Sequence, residues 1–150
     1  MAMEKSGKPF QVLEYVYDPD AASIGLHAAA ALGLPPSQVF KTLMVQTGDE
    51  AVVAIVPSDR ELNLKALAGV AGKKAAAMMK GADAERISGY KIGGISPLGQ
   101  KKKLRTFLDE SAFGLDFIVV NGGQRGLQIK VSAADLQLVV NAVKSAIATL

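Results

Sequence analysis

With 150 residues, 49% apolar and 21% charged, the chain has the length and apolar content for one hydrophobic core, and a single domain over residues 1–150 is expected. Cysteine is absent and His27 is the one histidine, which excludes disulfides, thiolate nucleophiles, zinc sites of the Cys or Cys/His kind and most His-dependent triads; no metal or cofactor is expected. A net charge of +3 admits a polyanionic partner, while 5% aromatic residues and no tryptophan argue against a stacking platform for single strands.

Met1 to Gly7 reads as a short frayed start, and neither a signal-type apolar run at the N-terminus nor a membrane-length segment occurs in the sequence, so a cytoplasmic location is expected. Phe10 to Val16 reads as the first strand and Asp18-Pro19-Asp20 as a turn. Ser23 then caps a helix through Leu32 that ends at Gly33. His27 lies in this helix with no second histidine or carboxylate cluster beside it, which makes it a partly exposed helical side chain rather than a base.

Val39–Gln46 and Ala51–Val56 read as a hairpin turned by Gly48-Asp49. Period-2 alternation puts Lys41 on the same face as Val39, Leu43 and Val45, so a lysine occupies the apolar side of its strand. Two readings follow: a stem snorkelling at the wet end of the strand, or a charge held in a pocket for an anionic ligand. Asn63 caps a helix from Leu64 to Ala71 closed by Gly72; Ala75 to Met79 is a short strand with Met78 and Met79 as core filler; Asp83 caps a helical turn to Ser88.

Gly89 to Gly99 holds a dense set of glycines and is a shaped loop. Leu104–Leu108, Phe117–Val120 and Leu127–Val131 read as strands, the last two joined by Asn121-Gly122-Gly123-Gln124-Arg125-Gly126. Ser132 opens a final helix to about Ala148 with Leu136, Val139, Val140, Val143 and Ile147 as its buried stripe. Short turns between successive strands and few helical crossovers indicate an α+β domain with a mixed, largely antiparallel, barrel-like curved sheet flanked by helices.

Gly94-Ile95-Ser96-Pro97-Leu98-Gly99-Gln100-Lys101 comes close to a phosphate-binding P-loop but has Gln100 where the lysine belongs and Lys101 and Lys102 where the hydroxyl residue should come, which argues against nucleotide triphosphate hydrolysis. Glycines in both loops serve either tight turns or backbone N–H groups converging on a ligand oxygen. Ser96 is followed by Pro97 and has no base near it in sequence, so a binding or loop-shaping role suits it better than that of nucleophile. The run Lys101, Lys102, Lys103 and Arg105 reads either as a solvated loop or as a set of phosphate contacts.

Val39-Phe40-Lys41-Thr42-Leu43, Gly89-Tyr90-Lys91-Ile92-Gly93-Gly94-Ile95-Ser96-Pro97-Leu98-Gly99-Gln100-Lys101-Lys102 and Gly122-Gly123-Gln124-Arg125-Gly126-Leu127 resemble, in order and spacing, the motifs of the YbaK proteins, from about Phe10 to the final helix. Those proteins share a superfamily with the editing insertion of bacterial prolyl-tRNA synthetases. The resemblance implies a small mixed α/β fold and a free-standing deacylase that removes cysteine from proline tRNA, with alanine or another small residue as the alternative. It implies the acceptor end of proline tRNA as the partner, with prolyl-tRNA synthetase as a further one, and no membrane.

The lysine of that family corresponds to Lys41, placing the charged terminus through phosphate or ribose, with N–H groups around Gly93 and Gly94 polarising the ester carbonyl. The expected substrate contacts are Tyr15, Thr42, Ile95, Ser96, Pro97, Asn121, Gly122, Gly123 and Gln128, and the expected tRNA phosphate contacts are Lys101, Lys102, Lys103 and Arg105. Asn121 and Gln128 depart from the serine and aspartate of the family's pattern; a lost carboxylate removes an anchor for the substrate's α-ammonium. In the family, the substrate's own thiol is thought to attack its carbonyl and expel the tRNA as a cyclic thioester, which needs no general base. A binding module that holds an RNA end without discharging it is the competing reading.

Overall fold

A computed structural model describes residues 2–20 and 23–149. Its organising element is the hairpin of β2 (Phe40–Thr47) and β3 (Glu50–Pro57), paired over eight positions from Phe40↔Pro57 to Thr47↔Glu50. Gly48 at φ 68° makes the left-handed turn between them. The apolar run of β3 is covered on both faces: Val53 and Ile55 enter one core, while Val52, Ala54 and Val56 enter another with Leu67 and Ala71 of α3 (Leu64–Ala71).

Parallel strands β5 (Thr106–Asp109) and β8 (Val143–Ser145) extend the sheet beyond β3, and β4 (Ala77–Met78) adds to β2, giving the order β4-β2-β3-β5-β8. A second, antiparallel sheet has the order β1-β7-β6, from β1 (Gln11–Glu14), β6 (Ile118–Asn121) and β7 (Leu127–Val131). The bridge Val39↔Val119 joins the two sheets, and Ile118, Val120, Ile129 and Val131 face Phe40, Met44, Val53, Ile55 and Leu108 across the main core. This is the mixed α+β, barrel-like architecture expected.

The helix ends follow local chemistry. Ser23 Oγ accepts the Leu26 N–H at the start of α2 (Ile24–Leu32), Asn63 Oδ1 accepts the Ala66 N–H at the start of α3, and Gly33 and Gly72 close them in the left-handed conformation. In α4 (Gly81–Ser88) the cap is Lys80, not Asp83; Asp83 sits in the first turn and pairs with Arg86 at 3.3 Å.

Two further expectations are corrected. The start is not frayed where it is described: α1 (Ala2–Ser6) buries Met3 completely in the main core, although Met1 lies outside the described residues. The final helix, α5 (Ala133–Val140), stops at Asn141 in the left-handed region (φ 54°), and the chain continues as β8. Leu136, Val139 and Val140 pack on the main core as the stripe requires, but Val143 is half exposed on an edge strand and Ile147 is buried in the other core beside α3. The free edge of β5 and the carboxylate of Asp109, which accepts the Ile147 and Ala148 N–H groups at 3.0 and 2.9 Å, outweigh the helical pattern.

Among the described residues no helix is long and apolar enough to cross a membrane, and no group of three or more His, Asp or Glu could hold a metal ion.

Candidate active site

A cleft of about 280 Å³ opens at the junction of the two sheets. Its floor is β2 from Val39 to Met44; its walls come from the start of α2 (Ser23–Gly25), Met78 and Met79, Ala84 of α4, the loop residues Ile92, Gly93 and Ile95, and Asn121 and Gln128 of β6 and β7. The cleft exists because β2 is left uncovered here. β6 reaches β2 only at Val39 and β4 pairs only with Val45 and Gln46, with the Met79 N–H donating to the Met44 carbonyl at 3.1 Å. Main-chain groups alternate along a strand, so the N–H and C=O of Thr42, two residues before Met44, lie on that same edge. Thr42 Oγ1 is also buried without a hydrogen-bond partner among the described residues.

Lys41 lines the cleft and forms no salt bridge with a described residue. Among the described residues no aspartate or glutamate lines it. One cation in an otherwise apolar and amide-lined recess is a place for an anionic or electron-rich group.

The two glycine loops hold each other. Asn121 Nδ2 donates to the Gly93 carbonyl at 3.1 Å while its Oδ1 accepts the Gly123 N–H at 2.7 Å, and Arg125 Nε donates to the Ile92 carbonyl at 2.9 Å. Gly94 is packed so closely on this turn that a Cβ would stand 3.0 Å from the Arg125 nitrogen and 3.1 Å from the Gln124 carbonyl carbon, both backbone. Gly94→Ala is therefore expected to separate the loops, lowering stability by about 1–3 kcal/mol and discharge activity with it; thermal unfolding and a rate assay on the same preparation check this, and wild-type values in both would refute the packing argument.

Several expected residues meet at the cleft: Lys41, Thr42, Gly93, Ile95, Asn121 and Gln128. Tyr15 stands just behind, its hydroxyl beside Gln128 but without a well-formed hydrogen bond. Burial pushes the Tyr15 phenol up, and the Gly126 backbone and the Gln128 amide partly oppose this. His27 backs the same tyrosine, ring centroids 5.7 Å apart, with Nε2 3.0 Å from the Val16 carbonyl oxygen.

Other residues are placed elsewhere. Gly94 is buried and its N–H already donates to the Lys91 carbonyl at 2.8 Å. Ser96 is fully buried, its hydroxyl accepting the Leu98 N–H at 3.1 Å, and Pro97 lines a separate depression with Lys102, Lys103 and Val140. Gln100, in the place of a P-loop lysine, turns its Nε2 inward to the Ser96 carbonyl at 3.0 Å. Gly122 and Gly123 shape the turn against Leu127 and Tyr90 rather than lining the cleft.

Lys101, Lys102 and Lys103 are exposed; Lys102 and Lys103 flank a depression near Gln46 and Asp49, at the opposite end of β2 from Lys41. Arg105, in contrast, is engaged by Glu50 through two bonds of 2.9 and 2.7 Å and by the Ala71 carbonyl at 2.7 Å.

The methionines were the least legible part of the cleft. Met44, Met78 and Met79 all line it; Met79 also packs on the main core, as a core filler should, whereas Met78 is about half exposed. Their spacing carries no signal of this, because only the pairing of β4 with β2 brings them to Met44.

The model of the aminoacyl-tRNA editing domain family matches residues 18–138. A protein of Enterococcus faecalis named as a candidate Cys-tRNA(Pro)/Cys-tRNA(Cys) deacylase, EbsC, is 37% identical over 132 residues, covering 87% of this chain and 79% of its own. A proline–tRNA ligase of Thermosipho africanus is 30% identical over 122 residues, 81% of this chain but only 21% of the ligase. In structure, a candidate trans-editing enzyme for prolyl-tRNA synthetase superposes with a TM-score of 0.86 at 22% identity, over 99% of this chain and 93% of that one. The matched region holds α2, both strands of the central hairpin, both glycine loops and every residue lining the cleft, and the chain belongs to the aminoacyl-tRNA editing domain family.

Proposed function

We propose that this editing domain acts as a single free-standing unit that discharges mischarged Cys-tRNA(Pro). The observation that carries the reading is the cleft itself: Lys41 beside an unpaired strand edge and a glycine loop, with no general base, within a sequence 37% identical to EbsC. An aminoacyl ester is already activated, so the site must hold the terminus, stabilise charge developing on the carbonyl oxygen and exclude correct amino acids.

In this reading Lys41 contacts the terminal phosphate or ribose, and the N–H of Gly93 faces the ester carbonyl. The cysteine sulfur attacks its own carbonyl carbon, the ester C–O bond breaks, and the thiol proton passes to the departing 3′ oxygen of the tRNA. Met44, Met78, Met79 and Ile95 supply a soft apolar wall for the side chain. Lys101, Lys102 and Lys103 guide the acceptor stem through phosphates, and a prolyl-tRNA synthetase supplies recognition of the rest of the tRNA.

The test is discharge of Cys-tRNA(Pro), Ser-tRNA(Pro), Ala-tRNA(Pro) and Pro-tRNA(Pro) by the purified chain. Rapid loss of the cysteinyl ester alone is expected. Equal discharge of the seryl or alanyl ester replaces thiol attack with attack by water, and stability of all four esters removes the function.

A further inference from the structure

We propose that the cleft takes its substrate's α-amine in the uncharged form, so that binding of an aminoacyl ester expels a proton. The inference rests on the reading of the cleft as the aminoacyl-ester site and adds the ionisation state that the site selects.

The charge inventory carries it. Among the described residues the single charged one in the lining is Lys41, and no carboxylate lines the cleft; the position on β7 that faces the interior is Gln128, 4% exposed and uncharged. An ammonium placed here would lose its water, gain no counter-ion and share a recess of about 280 Å³ with a second cation.

The hydrogen-bonding groups point the same way. Thr42 presents its main-chain N–H and C=O on the free edge of β2, its hydroxyl is buried beside them without a partner among the described residues, and Gln128 presents an amide. The Gln128 amide and the Thr42 carbonyl can accept from either form, but the Thr42 N–H can only donate: an amine with a lone pair accepts from it, whereas an ammonium, with no lone pair, leaves it unpaired.

The surrounding elements do not supply the missing negative charge. On α4, Asp83 is paired with Arg86, and Glu85, which keeps its charge, accepts the Ile92 N–H through Oε2 at 2.8 Å; both carboxylates stay outside the cleft lining. The other charged or titratable groups next to lining residues are Lys80 beside Met79 and Lys91 beside Ile92 in the chain, Arg125 at the Ile92 carbonyl, the Tyr17 phenol packed on Gly93, His27 behind Tyr15, and the Tyr15 phenol, whose pKa burial raises.

A free α-amino group titrates near pH 7.7–8.0. Selection of the neutral form then weakens binding about tenfold for each pH unit below that range. The test uses two non-hydrolysable ligands, a 3′-amide-linked cysteinyl adenosine and its analogue with a hydroxyl in place of the α-amine. Binding of each to the wild-type chain is measured by calorimetry at pH 6.0, 6.5 and 7.0 in buffers of different ionisation enthalpy.

The amine ligand is expected to release close to one proton at pH 6.5 beyond whatever the hydroxyl ligand releases, and to bind about tenfold more weakly at pH 6.0 than at pH 7.0; the hydroxyl ligand is expected to bind independently of pH. Because both ligands meet the same protein groups, the difference belongs to the amine. Binding of both with equal proton release overturns the inference and leaves the aminoacyl-ester reading standing. Failure of both to bind at any pH overturns that reading and the inference with it.

Discussion

Replacing Lys41 by alanine is expected to lower kcat/KM for Cys-tRNA(Pro) discharge by about 10²–10³-fold while leaving the fold intact. The size follows from removing a charged contact in a partly desolvated site where negative charge develops. Stability should stay within about 0.5 kcal/mol, because the Lys41 side chain forms no salt bridge with a described residue and its strand is held by eight register pairs with β3. Lys41→Arg should recover only part of the rate, since a planar guanidinium does not occupy the position of a compact ammonium. The measurement is single-turnover discharge alongside thermal unfolding. A Lys41→Ala protein with wild-type rate would remove Lys41 from the site, and one that is inactive because it is unfolded would show that the lysine supports the strand instead.

Asp109→Ala is expected to be the most destabilising substitution away from the cleft, costing about 3–5 kcal/mol for several buried donors left unpaired and, for a domain of this size, roughly 10 °C in Tm. Asp109 is 2% exposed. One carboxylate oxygen accepts the Ile147 and Ala148 N–H groups at 3.0 and 2.9 Å, and the other accepts the Ser111 N–H at 3.1 Å and the Ser111 hydroxyl at 2.5 Å. Truncation leaves these buried donors without a partner and frees the segment after β8.

The pH dependence follows from the same contacts. Burial by itself raises the carboxyl pKa, but the Ser111 hydroxyl and the N–H groups of Ala148, Ile147 and Ser111 outweigh it, and the net result lies below the ordinary value of 3.8. A depressed folded-state pKa means that the stabilisation is complete above pH 3.8 and is lost as pH falls below it through the folded value. The stability gap between wild type and Asp109→Ala should therefore be full at pH 7 and shrink below pH 4. Urea unfolding at both pH values measures it; a gap that widens in acid would contradict the assignment.

The parts of the fold legible in sequence are those fixed by short-range physics. Both ends of α3 follow from Asn63 and Gly72, and both ends of α2 from Ser23 and Gly33, because a side-chain cap and a left-handed glycine act within one turn. The β2–β3 hairpin is equally local, with Gly48 setting the reversal and β-rich runs on either side. The misplaced elements are those in which a distant partner overrides a local pattern. Val143 to Ile147 continues a helical stripe in sequence, yet Val143 pairs with β5 and the Ile147 N–H bonds to Asp109, 38 residues away. Met3 reads as part of a frayed end and is buried only because α1 finds the main core.

The site divides in the same way. The sequence by itself determined the family, the exceptional lysine on β2 and the two glycine loops, since these are properties of residue type and spacing. It also determined that no cysteine and no second histidine exist to act as nucleophile or base. Only the tertiary structure decided that Thr42 lies on an unpaired strand edge, that three methionines converge on it, that Asn121 ties Gly93 to the facing turn, and that Arg105 is held by Glu50. Each of these depends on which strands stop short and which segments, distant in sequence, become neighbours, and residue type and spacing carry no record of that.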